Sequence, residues 1–390
     1  MRIAFVTTYD SEDIGHWSGL GYYMAKCLEQ QGIELIRINC SLQVPLVQRL
    51  KRKLIGWCFR KIYQPERDHA FLKKMAEEVN RQLAGHDYEL IFAAGSLPVS
   101  FLQSPKPIVF FTDATYDGLT NLYIGPGKLW KQSLVQGNRA EANAINNASL
   151  VFYTSEWASR NAVTVYGADA RKIRRFYFGP NLVNNIGEKE MKNLIARRLI
   201  QTKKNFLFIG VDWCRKGAGI AIETISKLNE MGIPSTITIV GCQLPKTKRL
   251  PSFVTHHPFI SKNDVRGVQM LTDLYRNADF FLLPTQADCT PVVFSEAASF
   301  GLPVITTDVG GCSSVVLHNE TGFCFNKDNF VSEATPTIAT LCQNENLYES
   351  FCWRAFYRYK NELNWEAIGK KAATALQLAS DKQRSFSFSA

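Results

Sequence analysis

Phe280-Phe281-Leu282-Leu283, then Pro284-Thr285-Gln286-Ala287-Asp288-Cys289-Thr290-Pro291, then Val292-Val293-Phe294-Ser295-Glu296-Ala297-Ala298-Ser299-Phe300-Gly301, then Leu302-Pro303-Val304-Ile305-Thr306-Thr307-Asp308-Val309-Gly310-Gly311 is the stretch that decides the fold. It reads as strand, loop, helix, strand and glycine turn. Residues 280–283 are an unbroken apolar run, as expected of a parallel strand buried on both faces. Thr290 is expected to cap the helix, with Pro291 in its first turn, where a missing N–H costs nothing. Gly301 and Pro303 stop that helix. Val304 to Thr306 is the next strand, and Gly310-Gly311 is expected to open a further helix.

Two carboxylates bracket the first helix start. Asp288 precedes it, and Glu296 lies about a turn and a half inside, tilted back toward the N-terminus. Both acids and a row of free backbone N–H groups are expected to face one crevice. A helix start favours phosphate, and carboxylates accept hydrogen bonds from sugar or ribose hydroxyls. A nucleotide sugar carries both features.

The pattern of an acid, seven residues and Glu296, followed by Gly301-Leu302-Pro303-Val304 and Asp308-Val309-Gly310-Gly311, resembles the signature of family 4 glycosyltransferases. That resemblance implies a retaining transferase and an α/β chain of the GT-B fold: two Rossmann-like domains with parallel sheets facing a central cleft. The family pattern has Glu at both acidic positions and Phe-Gly after the first. Here Asp288 and Thr290-Pro291 stand in those places.

The 390 residues suit two domains, and 46% apolar content supplies a full core. Met1 to Val6 reads as a first strand, not a secretory signal. No apolar run reaches the length of about 18–20 residues that a membrane-spanning helix needs. Ten scattered cysteines without a C-x-x-C pair read as reduced thiols of a cytoplasmic protein. His256-His257 lacks neighbouring ligands, so no metal site is expected. The net charge of +10 favours anionic partners: nucleotide sugars, anionic lipid or nucleic acid. Nucleic acid has no support beyond the charge.

Residues 1–183 form the expected N-terminal, acceptor-side domain. Ile3 to Val6 leads into a polar loop with Gly19 and Gly21, then a helix from Tyr22 to Gln31. Position 24 is Met, so the dinucleotide fingerprint is absent. The resemblance places Gly19 and Gly21 in a loop that approaches donor diphosphate and acceptor; a purely steric role remains the alternative. Leu46 to Tyr63 reads as a basic amphipathic helix, fit either for an anionic bilayer surface or for core packing with a solvated basic face. Asp113 ends the strand from Ile108 to Phe111, where open α/β sheets bind ligands. The family often has His there, so Asp113 is a candidate contact to donor or acceptor, with a loop acid or helix cap as the alternative.

The polar segment 184–202 is the expected linker. The second domain, 203–365, is expected to bind the nucleotide sugar. After Phe206 to Ile209 comes Gly210-Val211-Asp212-Trp213-Cys214-Arg215-Lys216-Gly217, and the resemblance makes Lys216 a grip on the donor diphosphate. Val211 replaces the family's Arg, with Arg215 as its substitute. Residues 366–390 are expected to be a helix crossing back to the first domain, with a frayed tail from Arg384 to Ala390.

The chain contains no Asp-x-Asp, so the expected transferase is metal-independent and needs no cofactor beyond its nucleoside-diphosphate-sugar donor. Leaving-group charge would be held by Lys216, Arg215 and amides near Thr290, Pro291, Val292, Gly310 and Gly311. Asp288 would orient the donor sugar. Glu296 would bind ribose, so that Glu296→Ala should lose binding or turnover at a nearly intact melting temperature. The acceptor would be a glycan, lipid or small molecule. A nucleotide-sugar-binding protein without turnover and a nucleotide-sugar epimerase are the alternatives, as is membrane-peripheral attachment through 46–63.

Overall fold

The computed structural model describes residues 1–125, 127–182, 184–245 and 249–387, with side chains to residue 381. The chain forms two compact units: Met1–Tyr177 together with the chain from Trp365 onward, and Phe178–Asn364.

The first unit is a six-stranded parallel sheet of β1 (Arg2–Thr7), β2 (Glu34–Asn39), β3 (Leu90–Ala94), β4 (Ile108–Thr112), β5 (Leu150–Tyr153) and β6 (Ile173–Arg175), in the order β2-β1-β3-β4-β5-β6. Its helices are α1 (Leu20–Glu29), α2 (Leu46–Phe59), α3 (His69–Leu83), α4 (Tyr116–Tyr123), α5 (Lys131–Asn147) and α6 (Glu156–Tyr166). Successive strand residues point to opposite faces. Ala4, Val6, Ile91, Ala93, Phe110 and Val151 accordingly pack with Phe71, Met75 and Val79 of α3 and with Ala140 and Ala144 of α5. Phe5, Phe92 and Phe152 form a ladder of rings, with centroids 5.7 and 6.0 Å apart.

The second unit repeats the plan. It contains α7 (Glu188–Leu199), β7 (Lys204–Ile209), α8 (Ala218–Glu230), β8 (Ser235–Val240), β9 (Val254–His257), α9 (Val265–Asn277), β10 (Phe280–Leu283), α10 (Val292–Ser299), β11 (Val304–Thr307), α11 (Cys312–Val315), β12 (Gly322–Phe325), α12 (Phe330–Gln343) and α13 (Glu345–Asn361). The parallel strands run β12-β11-β10-β7-β8-β9. The decisive strand, β10, is buried along its whole length between β7 and β11.

The final helix, α14 (Trp365–Ser387), belongs to the first unit and packs on α1. Trp365 stacks on Tyr23 with centroids 6.0 Å apart, and Ile368, Ala372 and Leu376 are buried. The stretch 384–387 is helical, and the remaining residues of the expected frayed tail, 388–390, lie outside the described residues.

The structure corrects several boundaries. The expected linker 184–202 holds α7, whose Met191, Leu194, Ile195 and Arg198 are buried in the second unit. Its polar composition hides an apolar stripe at three- and four-residue spacing. The break between units falls after Tyr177, and the return to the first unit begins at Trp365. Pro291 is itself the N-cap residue of α10, and the Thr290 hydroxyl donates to the Cys289 carbonyl at 2.6 Å. Gly311 opens only the single turn of α11.

Of the two alternatives expected for 46–63, core packing does not hold. The helix stops at Phe59 because Arg60 turns left-handed at φ 51°, and only Ile55 of α2 is buried. Leu46, Val47, Leu50, Leu54, Trp57 and Phe59 are all more than half exposed, Trp57 to 83%. The helix is instead held by polar contacts. Gln48 donates to Asp68 at 3.3 Å, the Lys51 ammonium lies 4.5 Å from the Tyr63 ring centre, and Arg52 pairs with Glu66 at 3.3 Å.

Candidate functional site

In an open α/β sheet, ligands bind beyond the carboxyl ends of the strands where the strand order reverses. In the second unit this point lies between β7 and β10, because β8 and β9 extend one way and β10 to β12 the other. The loop after β7 carries Arg215 and Lys216; the loop after β10 carries Asp288. The Lys216 ammonium donates directly to Asp288 Oδ2, and Arg215 Nη1 lies 3.7 Å from the same oxygen. Arg215 also donates to the Ala287 carbonyl at 3.0 Å. Gly311 N–H donates to the Asp288 carbonyl at 3.3 Å, which brings the Gly310-Gly311 turn to the same place.

Tight backbone approach sets this geometry. Gly217 has φ 78° and caps α8, and a Cβ there would run into the Pro284 carbonyl oxygen. A Cβ on Gly210 would come within 2.8 Å of Lys216 Cγ. Gly217→Ala should therefore destabilise the fold by about 1–3 kcal/mol through backbone strain alone. Chemical denaturation checks this; an unchanged midpoint would show that the loop relaxes freely.

Two cations face one carboxylate beside the start of α10, so this group carries a formal charge of +1. Thr290, Pro291 and Val292 follow Asp288 and Cys289 into that helix start. Val211 is exposed, and Arg215 supplies the second cation.

Glu296 is in a different setting. It has no exposed surface. Lys262 donates to its Oε1, as does the Asn181 backbone N–H at 3.2 Å, and the Tyr275 hydroxyl donates to Oε2 at 2.9 Å. Burial, then the Glu296 carboxylate, push the Tyr275 hydroxyl well above the ordinary tyrosine range. A ribose hydroxyl would reach Glu296 only by displacing one of these donors. These contacts argue against an intact melting temperature in Glu296→Ala, because the change would strand the buried Tyr275 hydroxyl and the half-buried Lys262 ammonium. Sequence reasoning missed Lys262, Tyr275 and Asn181 as partners.

Asp113, Gly19 and Gly21 belong to the first unit. Gly19 adopts φ 79° as the N-cap residue of α1, and a Cβ on Gly21 would collide with the Tyr9 hydroxyl. Asp113 lies in the wall of a cavity of about 260 Å³ with Tyr9, Trp17, Ser96 and Glu141. Among the described residues, no cluster of three or more His, Cys, Asp or Glu could hold a metal ion.

Two parallel, doubly wound units with these strand orders define a GT-B protein. The crystal structure of sucrose-phosphate synthase from Thermosynechococcus elongatus superposes with a TM-score of 0.67 at 17% identity, covering 97% of this chain and 98% of that one. Anabaena Alr3699/HepE in complex with UDP and glucose superposes with a TM-score of 0.59 at 17% identity, over 97% and 99% of the two chains. Residues 203–344 match the family described as glycosyl transferases group 1. The capsular polysaccharide biosynthesis glycosyltransferase CapM of Staphylococcus aureus is 25% identical over 241 residues, 59% of this chain and 60% of CapM. The lipopolysaccharide glucosyltransferase WaaG of Escherichia coli is 30% identical over 131 residues, 32% of this chain and 30% of WaaG.

Proposed function

We propose that this chain is a hexosyltransferase that moves a sugar from a nucleoside-diphosphate sugar to an acceptor hydroxyl, with retention and without a metal ion. The convergence of Lys216 and Arg215 on Asp288 at the strand-order reversal carries this reading. As the acceptor oxygen bonds to the anomeric carbon, the bond from that carbon to the diphosphate oxygen breaks, and its electron pair leaves with the diphosphate. The acceptor proton passes to the departing phosphate oxygen on the same face. Lys216, Arg215 and the amides at the start of α10 offset the growing charge. Asp288 holds the two cations in place between turnovers and orients the donor sugar. The match of residues 203–344 to the group 1 family and the UDP named in the Alr3699/HepE structure support a nucleotide-sugar donor.

Titration with UDP, GDP and ADP, followed by hydrolysis assays on their sugars, tests the reading. Slow donor hydrolysis supports a transferase. Binding without turnover would favour an inert nucleotide-sugar-binding module, and epimerised donor would favour an epimerase. No binding of any nucleotide, or activity lost on chelation and restored by magnesium, would overturn it.

A second observation bears on the acceptor. The apolar face of α2 is exposed and is flanked by Arg49, Lys53 and Arg60. A basic helix with outward Leu and Trp side chains fits an anionic bilayer interface. No described helix is long and apolar enough to cross a membrane, and attachment through α2 would be peripheral. The free protein should co-sediment with vesicles containing phosphatidylglycerol at low salt and less so at 1 M salt. A Leu50→Glu, Leu54→Glu, Trp57→Glu variant should remain in the supernatant; equal sedimentation of both proteins would exclude α2 as the contact.

A further inference from the structure

The three donors to Glu296 are not equally fixed. The Tyr275 ring is fully buried and stacks on both Phe281 and Phe300, with centroids 6.0 and 5.1 Å away. The Asn181 donor is a backbone N–H. Lys262 reaches the carboxylate on a flexible four-carbon stem. Its side chain is 27% exposed, whereas Glu296 has no exposed surface. Of the three donors, Lys262 is the one that can withdraw into water.

The backbone beneath Lys262 is pinned. In the loop between β9 and α9, Ser261 Oγ accepts from the Asn263 N–H at 3.1 Å, and Asp264 Oδ1 accepts from the Arg266 N–H at 3.3 Å. A Cβ on Gly267 would collide with the Ser261 carbonyl oxygen, so the loop lies close against the first turn of α9. Withdrawal of Lys262 is therefore a side-chain rotation that leaves the loop and Tyr275 in place.

A carboxylate has about four acceptor positions, and three are taken here. Departure of the ammonium leaves one position free on each oxygen. Buried acceptors left unpaired are costly, so the open arrangement needs a new donor. Its chemistry is narrow. An anion would face the carboxylate with like charge. A hydrocarbon would pair with nothing. A second cation would gain nothing over the ammonium already present. Two adjacent hydroxyl groups would donate one hydrogen bond to each oxygen. The ribose of a nucleotide carries such a pair, and Glu296 lies on the helix whose start adjoins the Lys216–Asp288 group.

We propose that Lys262 is a latch on Glu296: it holds the carboxylate while the site is empty and is displaced by the ribose hydroxyls of an arriving nucleoside diphosphate. The assignment rests on the glycosyltransferase reading and adds a cost to its binding step. Glu296 is then a gated contact, structural while latched. Only the unlatched fraction accepts the ribose, so the apparent affinity is lower than the intrinsic one by that fraction. Lys262 restrains nucleotide binding, the opposite of the grip assigned to Lys216.

The test is calorimetry on the full chain with UDP, GDP and ADP, and with the 2′,3′-dideoxy analogue of whichever binds. Lys262→Met keeps the stem and removes the charge. It should tighten the nucleotide by about tenfold, the effect of one charged hydrogen bond that no longer has to be broken. The dideoxy analogue should show no such gain, because it has no hydroxyls to replace the ammonium. Lys262→Arg, which restores a cation, should bind as wild type does. A folding defect weakens binding and cannot imitate the gain. If Lys262→Met does not fold, the neutral Lys262→Gln is measured in its place. Affinity unchanged or weakened in the folded neutral variant, or an equal gain by the analogue, would overturn the latch. The two readings fail separately. Nucleotide binding without the gain sinks the latch alone; no binding of any of the three nucleotides to wild type or variant sinks the transferase reading beneath it.

Discussion

Lys216→Ala is expected to lower kcat by roughly 10²–10³, the effect of removing one well-placed donor from a developing anion, or about 2.7–4 kcal/mol. The Lys216 ammonium sits on Asp288, and its methylene stem packs against Gly210, so its placement is fixed. The substitution also leaves the Asp288 carboxylate, itself only 6% exposed, with Arg215 as the remaining side-chain cation beside it. Some lost activity could then come from loop disorder. The Lys216→Ala, Asp288→Asn double variant separates the two effects. It should recover melting temperature, because the buried charge is gone, without recovering turnover. Single-turnover donor hydrolysis and UDP calorimetry measure this. Turnover restored by the second change would reduce Lys216 to a neutraliser of Asp288.

Glu296→Ala is expected to destabilise the second unit by about 3–5 kcal/mol, because the buried Tyr275 hydroxyl, the Asn181 N–H and the half-buried Lys262 ammonium all lose their acceptor, at about 1–3 kcal/mol for each buried group left unpaired. At roughly 2–4 °C per kcal/mol for a unit of this size, the melting temperature should fall by about 10 °C. Three donors converge on this carboxylate from separate parts of the fold. Lys262 lies in the loop after β9, Tyr275 on α9, and Asn181 near the start of the unit. Glu296→Gln retains the shape but supplies one acceptor where two are needed, and should cost less. Differential scanning calorimetry decides the matter. A melting temperature within 2 °C of wild type in Glu296→Ala, with nucleotide binding abolished, would return Glu296 to a direct ligand role.

The sequence made the second unit legible where local chemistry and tertiary demand agree. Residues 280–283 are apolar without alternation because β10 is covered on both faces, and α9 begins where Asp264 caps it through the Arg266 N–H at 3.3 Å. Legibility failed where long-range contacts decide. β2 is partly exposed and lacks a clean apolar run, and β12 begins at a glycine. α12 gives no clear helical signal because Pro336 lies inside it. At the candidate site, Lys216 and Asp288 could be named because each sits in a glycine-bearing or proline-bearing loop. Their direct pairing could not, since 72 residues separate them. Glu141 gave no signal: an acid within a polar helix is ordinary until folding buries it.

The return of α14 to the first unit makes the second unit an insertion within the first. During synthesis, the sheet from β1 to β6 is complete long before its covering helix exists. At about 5–20 residues per second, some 10–40 s separate the emergence of Tyr177 from that of Trp365. The Cys27 surface that receives Gly369, and the Tyr23 ring that receives Trp365, stay uncovered for that interval. Residues 178–364 are contiguous and can mature on the ribosome first. A released fragment of residues 1–364 should therefore resist protease in its second unit and remain cleavable in its first, so the early half of the gene product is the later half to become secure.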